Sequence, residues 1–335
     1  MLALLGLLGA LVAGVAADAV LFPRDSTDAD DTDDPTPDDE ASLDDGNILD
    51  DIPVDEGVPT SDDIADPVDP STTRIGGDGA DILSGRNSGD QIRGEGGADL
   101  IDGRGGDDHI DAGAGNDAVW AGAGDDSAYG QDGHDSLHGQ DGDDLLDGGA
   151  GNDSLTGGEG DDSLHGGTGN DTLMGGAGND LIDAGAGNDW LAGSAGDDSL
   201  SGGAGSDILD GGAGADWMSG LQGDVDDFGT DYLNGDDGDD TLVLGSGDFA
   251  TGGAGNDEFI LHEWMSENAL TQISDYDATK DQLVIVYDVT VHGDPAITVE
   301  ASDDGASQTV YLDGMKVAIV RGGILDAADI RLVPA

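Results

Sequence analysis

Eighteen aspartates, sixteen of them at a fixed interval, carry whatever chemistry this 335-residue chain performs. Asp81, Asp90, Asp99, Asp108, Asp117, Asp126, Asp135, Asp144, Asp153, Asp162, Asp171, Asp180, Asp189, Asp198, Asp207 and Asp216 stand nine residues apart, and Asp240 and Asp257 extend the series past an irregular stretch. Carboxylates stacked at strand spacing repel one another unless a cation lies between them. Calcium suits such a series, because it takes about six to eight oxygen ligands, main-chain carbonyls included, in adaptable geometry. With no cysteine, thiolate sites and disulfides are excluded.

No catalytic constellation competes with this reading. His109, His134, His138, His165, His262 and His292 do not cluster, and His262-Glu263 continues as Trp264-Met265-Ser266, which breaks the HExxH zinc-protease spacing. A GxSxG nucleophile elbow is absent. The acids belong to the repeats, and the chain is read as non-enzymatic.

The elements that position the aspartates follow from the rest of the repeat. Copies such as Gly148-Gly149-Ala150-Gly151-Asn152-Asp153-Ser154-Leu155-Thr156 have the form GGxGxDxUx, with U a large apolar residue, and sixteen of them run without a slip over residues 76–219. The fourth position is glycine in fifteen, with Ser88 the exception, and the eighth is always apolar, from Leu83 and Ile92 to Leu209 and Met218. Alternation along a strand predicts that the last three residues form a very short strand with the middle side chain inward. The first six predict a turn in which glycine supplies positive φ and close backbone approach. A solvated, disordered tract would not preserve the apolar column. The expected fold is all-β, a parallel β-roll solenoid with a small β-rich C-terminal cap.

The pattern resembles the RTX, or haemolysin-type, calcium-binding nonapeptide repeat. That resemblance implies two nonapeptides per turn, with the sixth-position aspartates and turn carbonyls holding Ca2+ between successive loops on one edge. Sixteen loops would then divide eight to an edge and hold on the order of 14 ions. Eight stacked strands would span roughly 35 Å. Ile273-Ser274-Asp275-Tyr276-Asp277 and Asp281-Gln282-Leu283 resemble a segment common after such repeats, where the family carries its type I secretion signal.

Four segments are expected. Residues 1–22 are almost wholly apolar and read as a signal peptide or a membrane anchor, with a mis-called start or a buried strand as the plainer alternative. Family members exported by type I machinery normally lack such a leader, so the two ends imply different routes. Residues 23–73 hold seven of the nine prolines and nineteen acids against Arg24 alone, the composition of a disordered acidic linker. Residues 74–260 form the roll: residues 220–234 carry the repeat with six extra residues, and residues 244–251 are one short. Residues 261–335 lose the glycines and gain β-rich runs with a hairpin signal at Asp313-Gly314, expected to form a small antiparallel sheet with a helical turn near residues 326–329.

Nine basic residues against 75 acidic ones give a formal charge of −66, which excludes nucleic acid as a partner. Calcium ions are the expected ligands, with a cell-surface or matrix polymer and an N-terminal membrane tether as further candidates. The location that follows is extracellular or at the cell surface. Adhesin, matrix or surface-layer scaffold, and a non-catalytic module beside an enzyme partner, remain open. The outward seventh positions show no regular ladder, and Trp190 and Trp217, three repeats apart, fall on opposite faces.

Overall fold

A computed structural model describes residues 73–223, 229–262 and 270–335, all within one compact unit, residues 56–335. The apolar leader and nearly all of the acidic linker lie outside the described residues. The described chain winds into two fourteen-stranded sheets laid face to face. One sheet takes the strands Thr73–Gly77, Gln91–Glu95, His109–Ala114 and Ser127–Asp132, and continues at eighteen-residue intervals. The other takes Ile82–Ser84, Leu100–Asp102, Ala118–Ala123 and Ser136–Asp141 in the same way. Pairing is parallel, with Leu155 opposite Leu173. Two nonapeptides therefore complete each turn.

Most interior strands are six residues long, as in Leu145–Ala150 and Ser154–Glu159, rather than the three expected. The second and third residues of most following repeats also pair turn on turn, as Gly113 with Gln131 and Ala114 with Asp132. Only the short loop holding positions four to six is left outside the ladders.

The eighth-position side chains fill the space between the sheets. Ile92, Ile101, Ile110, Leu137, Leu146 and Ile182 are fully buried in one continuous column. One large side chain per nonapeptide is a thin core, so every turn depends on its neighbours to cover it.

Glycine at the fourth position has a steric cause. A Cβ on Gly151, where φ is 148°, would collide with the carbonyl oxygen of Gly133 one turn earlier, and Gly169 meets Gly151 in the same way. In the first loop on one edge, Gly79 has no such neighbour. Ser88 lies in the first loop on the other edge, so the single departure from glycine falls where no earlier turn exists to clash with it.

The irregular stretch keeps its register. The six-residue insertion places Leu209 opposite Leu233, and the one-residue deletion places Leu233 opposite Ala250. One consequence adds to the reading of the outward face. Trp190 and Trp217 do lie in different sheets. Trp190, however, continues into a column through Ile208, Tyr232 and Phe249, whose last two rings stack 4.9 Å apart. Tyr232 and Phe249 meet because the insertion and deletion bring them onto successive strands, whereas Trp217 lies between Ser199 and Thr241.

Residues 270–335 extend the two sheets instead of forming a separate antiparallel one. Gln282–Tyr287 and Arg331–Pro334 continue the first sheet in parallel, and Thr271–Tyr276 and Met315–Gly322 continue the second. Among the described residues of this segment, antiparallel pairing is confined to Ile297–Ala301, Gln308–Leu312 and Met315–Gly322, around the Asp313-Gly314 turn. Leu283, Ile285, Val317 and Val320 join the core cluster of the repeats, and burying them there draws the segment onto the roll. A 3-10 turn, Ala327–Asp329, is capped by Asp326, whose side chain accepts the Ala328 N–H.

Candidate metal centre

The sixth-position aspartates fall into two stacks, one along each edge of the roll. Asp81, Asp99 and Asp117 begin one, and Asp90, Asp108 and Asp126 begin the other. Within a stack, each carboxylate Oδ1 accepts the main-chain N–H of the aspartate one turn earlier. Asp135 donates to Asp153 at 2.8 Å, Asp153 to Asp171 at 2.9 Å and Asp171 to Asp189 at 2.7 Å. The same bond runs through Asp144, Asp162, Asp180, Asp198, Asp216 and Asp240 on the second edge.

Three rungs escaped the nine-residue count. Asp207 donates to Asp231, Asp231 to Asp248, and Asp257 to Asp281. A local signal marks all three: an apolar residue two positions on, Leu233, Ala250 or Leu283, that enters the core. Following the aspartate-x-apolar triplet rather than the interval would have found them.

The second carboxylate oxygen distinguishes the interior from the ends. Oδ2 of Asp99, Asp117, Asp135, Asp153, Asp171 and Asp189 on the first edge is buried with no hydrogen-bond partner. On the second edge the same is true of Asp108, Asp126, Asp144, Asp162, Asp180, Asp198, Asp216 and Asp240. At the ends, Asp81 Oδ2 accepts the Gly77 N–H, Asp90 Oδ2 the Arg86 N–H and Asp281 Oδ2 the Asp277 N–H. In most repeats the interior Oδ2 faces the bare side of the glycine that opens its own repeat; the repeats of Asp117, Asp126 and Asp189 open instead with Ala112, Ala121 and Ala184. A Cβ on Gly157 would sit against Asp162 Oδ2 and against the Gly175 carbonyl one turn on, and Gly94 is flanked likewise by Asp99 Oδ2 and the Ala112 carbonyl.

An ionised oxygen buried without a partner is strongly disfavoured, and a bound cation resolves it. Burial pushes the Asp108 and Asp144 carboxyls up to about 7, against an ordinary value near 3.8. The Asp126, Asp162, Asp180 and Asp198 carboxyls rise to about 6 for the same reason. Among the described residues no three Asp, Glu or His side chains converge on one point. The donor set is thus one or two carboxylates with main-chain carbonyls, which suits an oxygen-loving ion of flexible coordination and not zinc.

The family model of the RTX calcium-binding nonapeptide repeat matches in overlapping copies that together run over residues 75–248, just over half of the chain. This chain belongs to the RTX calcium-binding repeat family. Its repeats bind Ca2+ at multiple sites, and the buried Oδ2 atoms and bare glycine faces fit that ion. No curated protein matches the chain. Among solved structures, it is similar to a hyperactive, Ca2+-dependent, β-helical antifreeze protein from an Antarctic bacterium, at 20% identity over 62% of this chain and 77% of that one, with a TM-score of 0.31. It is also similar to the extracellular lipase LipA from Serratia marcescens, at 17% identity over 81% of this chain and 41% of that one, with a TM-score of 0.16. At those scores neither likeness bears on what this chain does.

A second ladder runs along each edge of the RTX roll at the fifth position, with the opposite sense. Here the side chain accepts the N–H of the following turn. Asn152 accepts from Asn170 and Asn170 from Asn188 on one edge, and Asp143 accepts from Asp161 and Asp161 from Asn179 on the other. His134 joins the first of these through Nδ1, which accepts the Asn152 N–H at 2.6 Å. Sequence reading missed this ladder because Asn, Asp, His and Ser all serve it, so no single residue type marks the column.

The two edges of the RTX roll differ in charge at this position. Along the Asp81 edge it holds Ala98, Asn116, His134, Asn152, Asn170, Asn188 and Ser206, and along the Asp90 edge Asp107, Asp125, Asp143, Asp161, Asn179 and Asp197. Asp125 lies close enough to Asp126 and Asp144 for both to feel its charge. His134 acts on Asp135 and Asp153 in the contrary sense.

Proposed function

We propose that this protein is a secreted or surface-tethered module whose roll folds when Ca2+ binds, with a structural or interaction role and no catalytic site. The proposed ligands are the sixth-position aspartates, from Asp81 to Asp257, extended to Asp231, Asp248 and Asp281, together with loop carbonyls. The observation that carries the reading is the repeated buried Oδ2, which in repeats such as those of Asp99 and Asp162 shares the bare face of a glycine with a carbonyl oxygen of the next turn. Without the ion, two stacks of carboxylates oppose a thin apolar core, so binding free energy becomes folding free energy. Millimolar calcium outside cells and scarcity inside would then set where the roll forms. Residues 1–22 serve as leader or anchor, residues 23–73 as an acidic spacer, and residues 261–335 cover the open end of the sheets and hold the secretion signal. Among the described residues no helix is long and apolar enough to cross a membrane.

A scaffold for adhesion is a second reading. The column Trp190, Ile208, Tyr232 and Phe249 favours it, with Ile208 and Tyr232 about half exposed on an outer face.

Circular dichroism of the full chain at pH 7.5, titrated with calcium and separately with magnesium, tests the primary reading. A cooperative gain of β structure with calcium alone supports it. A spectrum unmoved by calcium, or fully β in chelator at that pH, overturns it.

A further inference from the structure

The two edges carry the same sixth-position stack but not the same surroundings. In the loops spanning residues 121–162 on the Asp90 edge, each fifth position is an aspartate, and Asp141 and Glu159 add acids at the third. The neighbouring loops of the other edge, residues 112–171, hold Asn116, His134, Asn152 and Asn170 at the fifth position and only Asp132 as an added acid. Arg86 and Arg104, the cations of the acidic edge, lie in its first two loops, ahead of this excess. Within it, Asp126, Asp144 and Asp162 are about 2% exposed, and each has a buried Oδ2 with no hydrogen-bond partner.

Resting on the calcium reading above, we infer that the two edges are unequal calcium rows, and that the row lined by Asp125, Asp143 and Asp161 fills first. A carboxylate beside a divalent site attracts the ion without having to ligate it, and charge count around a calcium loop is a principal control of its affinity. The fifth-position ladder separates this charge from shape. Asn152 and Asn170 make the same turn-to-turn hydrogen bond as Asp143 and Asp161, at 2.9 and 2.8 Å against 2.9 and 2.7 Å. Exchange of Asp for Asn at this position therefore changes charge while the loop keeps its support. Filling one row first would leave the roll half-loaded over a range of calcium concentrations, with one edge stapled and the other open.

The test is a calcium-binding isotherm of the full chain by equilibrium dialysis. Wild type is expected to show two classes of site. The triple variant Asp125→Asn, Asp143→Asn, Asp161→Asn should shift the tight class to about tenfold weaker binding, and Asn152→Asp, Asn170→Asp, Asn188→Asp should tighten the weak class by a similar factor. Both shifts should shrink in 1 M salt. A charge-matched control away from the calcium loops, Asp294→Asn, Glu300→Gln, Asp303→Asn, all exposed in the C-terminal segment, should leave the two classes in place. A single class in wild type, unchanged in both fifth-position variants, overturns the inference and leaves calcium binding intact. An equal shift in the control also overturns it, since net charge would then be the cause. No binding by wild type overturns both this inference and the reading on which it rests.

Discussion

Asp153 donates its main-chain N–H to Asp171 Oδ1, eighteen residues further on, at a distance of 2.9 Å. The bond makes the side chain of one turn part of the backbone ladder of the turn before it. Asp171→Ala removes the acceptor and leaves a buried N–H, which should destabilise the calcium-loaded roll by about 1–3 kcal/mol. Asp171→Asn keeps an acceptor and loses a charge, so it should weaken calcium binding more than it disturbs the loaded fold. Denaturant titrations of both variants in calcium, beside their binding isotherms, separate the two effects.

Acid should substitute for calcium. Burial raises the carboxyls of Asp108 and Asp144 to about 7 and those of Asp126, Asp162, Asp216 and Asp240 to about 6. A group whose folded value lies above its unfolded value contributes stability below the unfolded value and loses it as pH rises through the folded one. The calcium-free chain is thus expected to gain β structure as pH falls from about 7.5 to 4.5, and calcium added near pH 6 should release protons. Circular dichroism in chelator across that window, and pH-stat titration, check both. No gain of structure in acid would count against burial as the dominant influence on these carboxyls.

Substitution at the fourth position should depend on where in the roll it falls. Gly151→Ala drives a Cβ into the Gly133 carbonyl at a positive φ, and is expected to destabilise the roll by at least about 2 kcal/mol. Gly79→Ala meets nothing in the first loop and should change stability by no more than about 0.5 kcal/mol. Thermal unfolding in saturating calcium compares them, and equal effects would contradict the turn-on-turn contact.

The last rung should hold the C-terminal strands to the roll. Asp281 accepts the Asp257 N–H through Oδ1 and the Asp277 N–H through Oδ2. Asp281→Ala is therefore expected to speed hydrogen exchange in Gln282–Tyr287 and Arg331–Pro334, while Leu145–Ala150 keeps its protection. Uniform protection in the variant would show that the core contacts of Leu283 and Ile285 suffice.

Much of this architecture was legible because the repeat states its constraints as residue types. The apolar column from Ile92 to Met218 named the core, and the spacing from Asp81 to Asp257 named both stacks. Features set by geometry between turns were harder to see. Nothing in the letters of Gly149 and Ala150 reveals that they pair with the next turn and lengthen a strand to six residues. Asp231, Asp248 and Asp281 were hidden because the insertion and deletion change the interval while preserving the triplet. Tyr232 and Phe249 looked unrelated to Trp190 for the same reason. The strands after residue 270 carry ordinary β-rich runs, and only the shared core shows that Leu283 and Val317 extend the roll.

One turn of this roll stores eighteen residues in a rise of roughly 4.8 Å, yet the same eighteen residues drawn straight reach about 60 Å. A pull applied at the two ends loads the bonds between turns, including Asp153 to Asp171, and does so one rung at a time. Under tension the roll would consequently peel turn by turn, each turn lengthening more than tenfold as it is released.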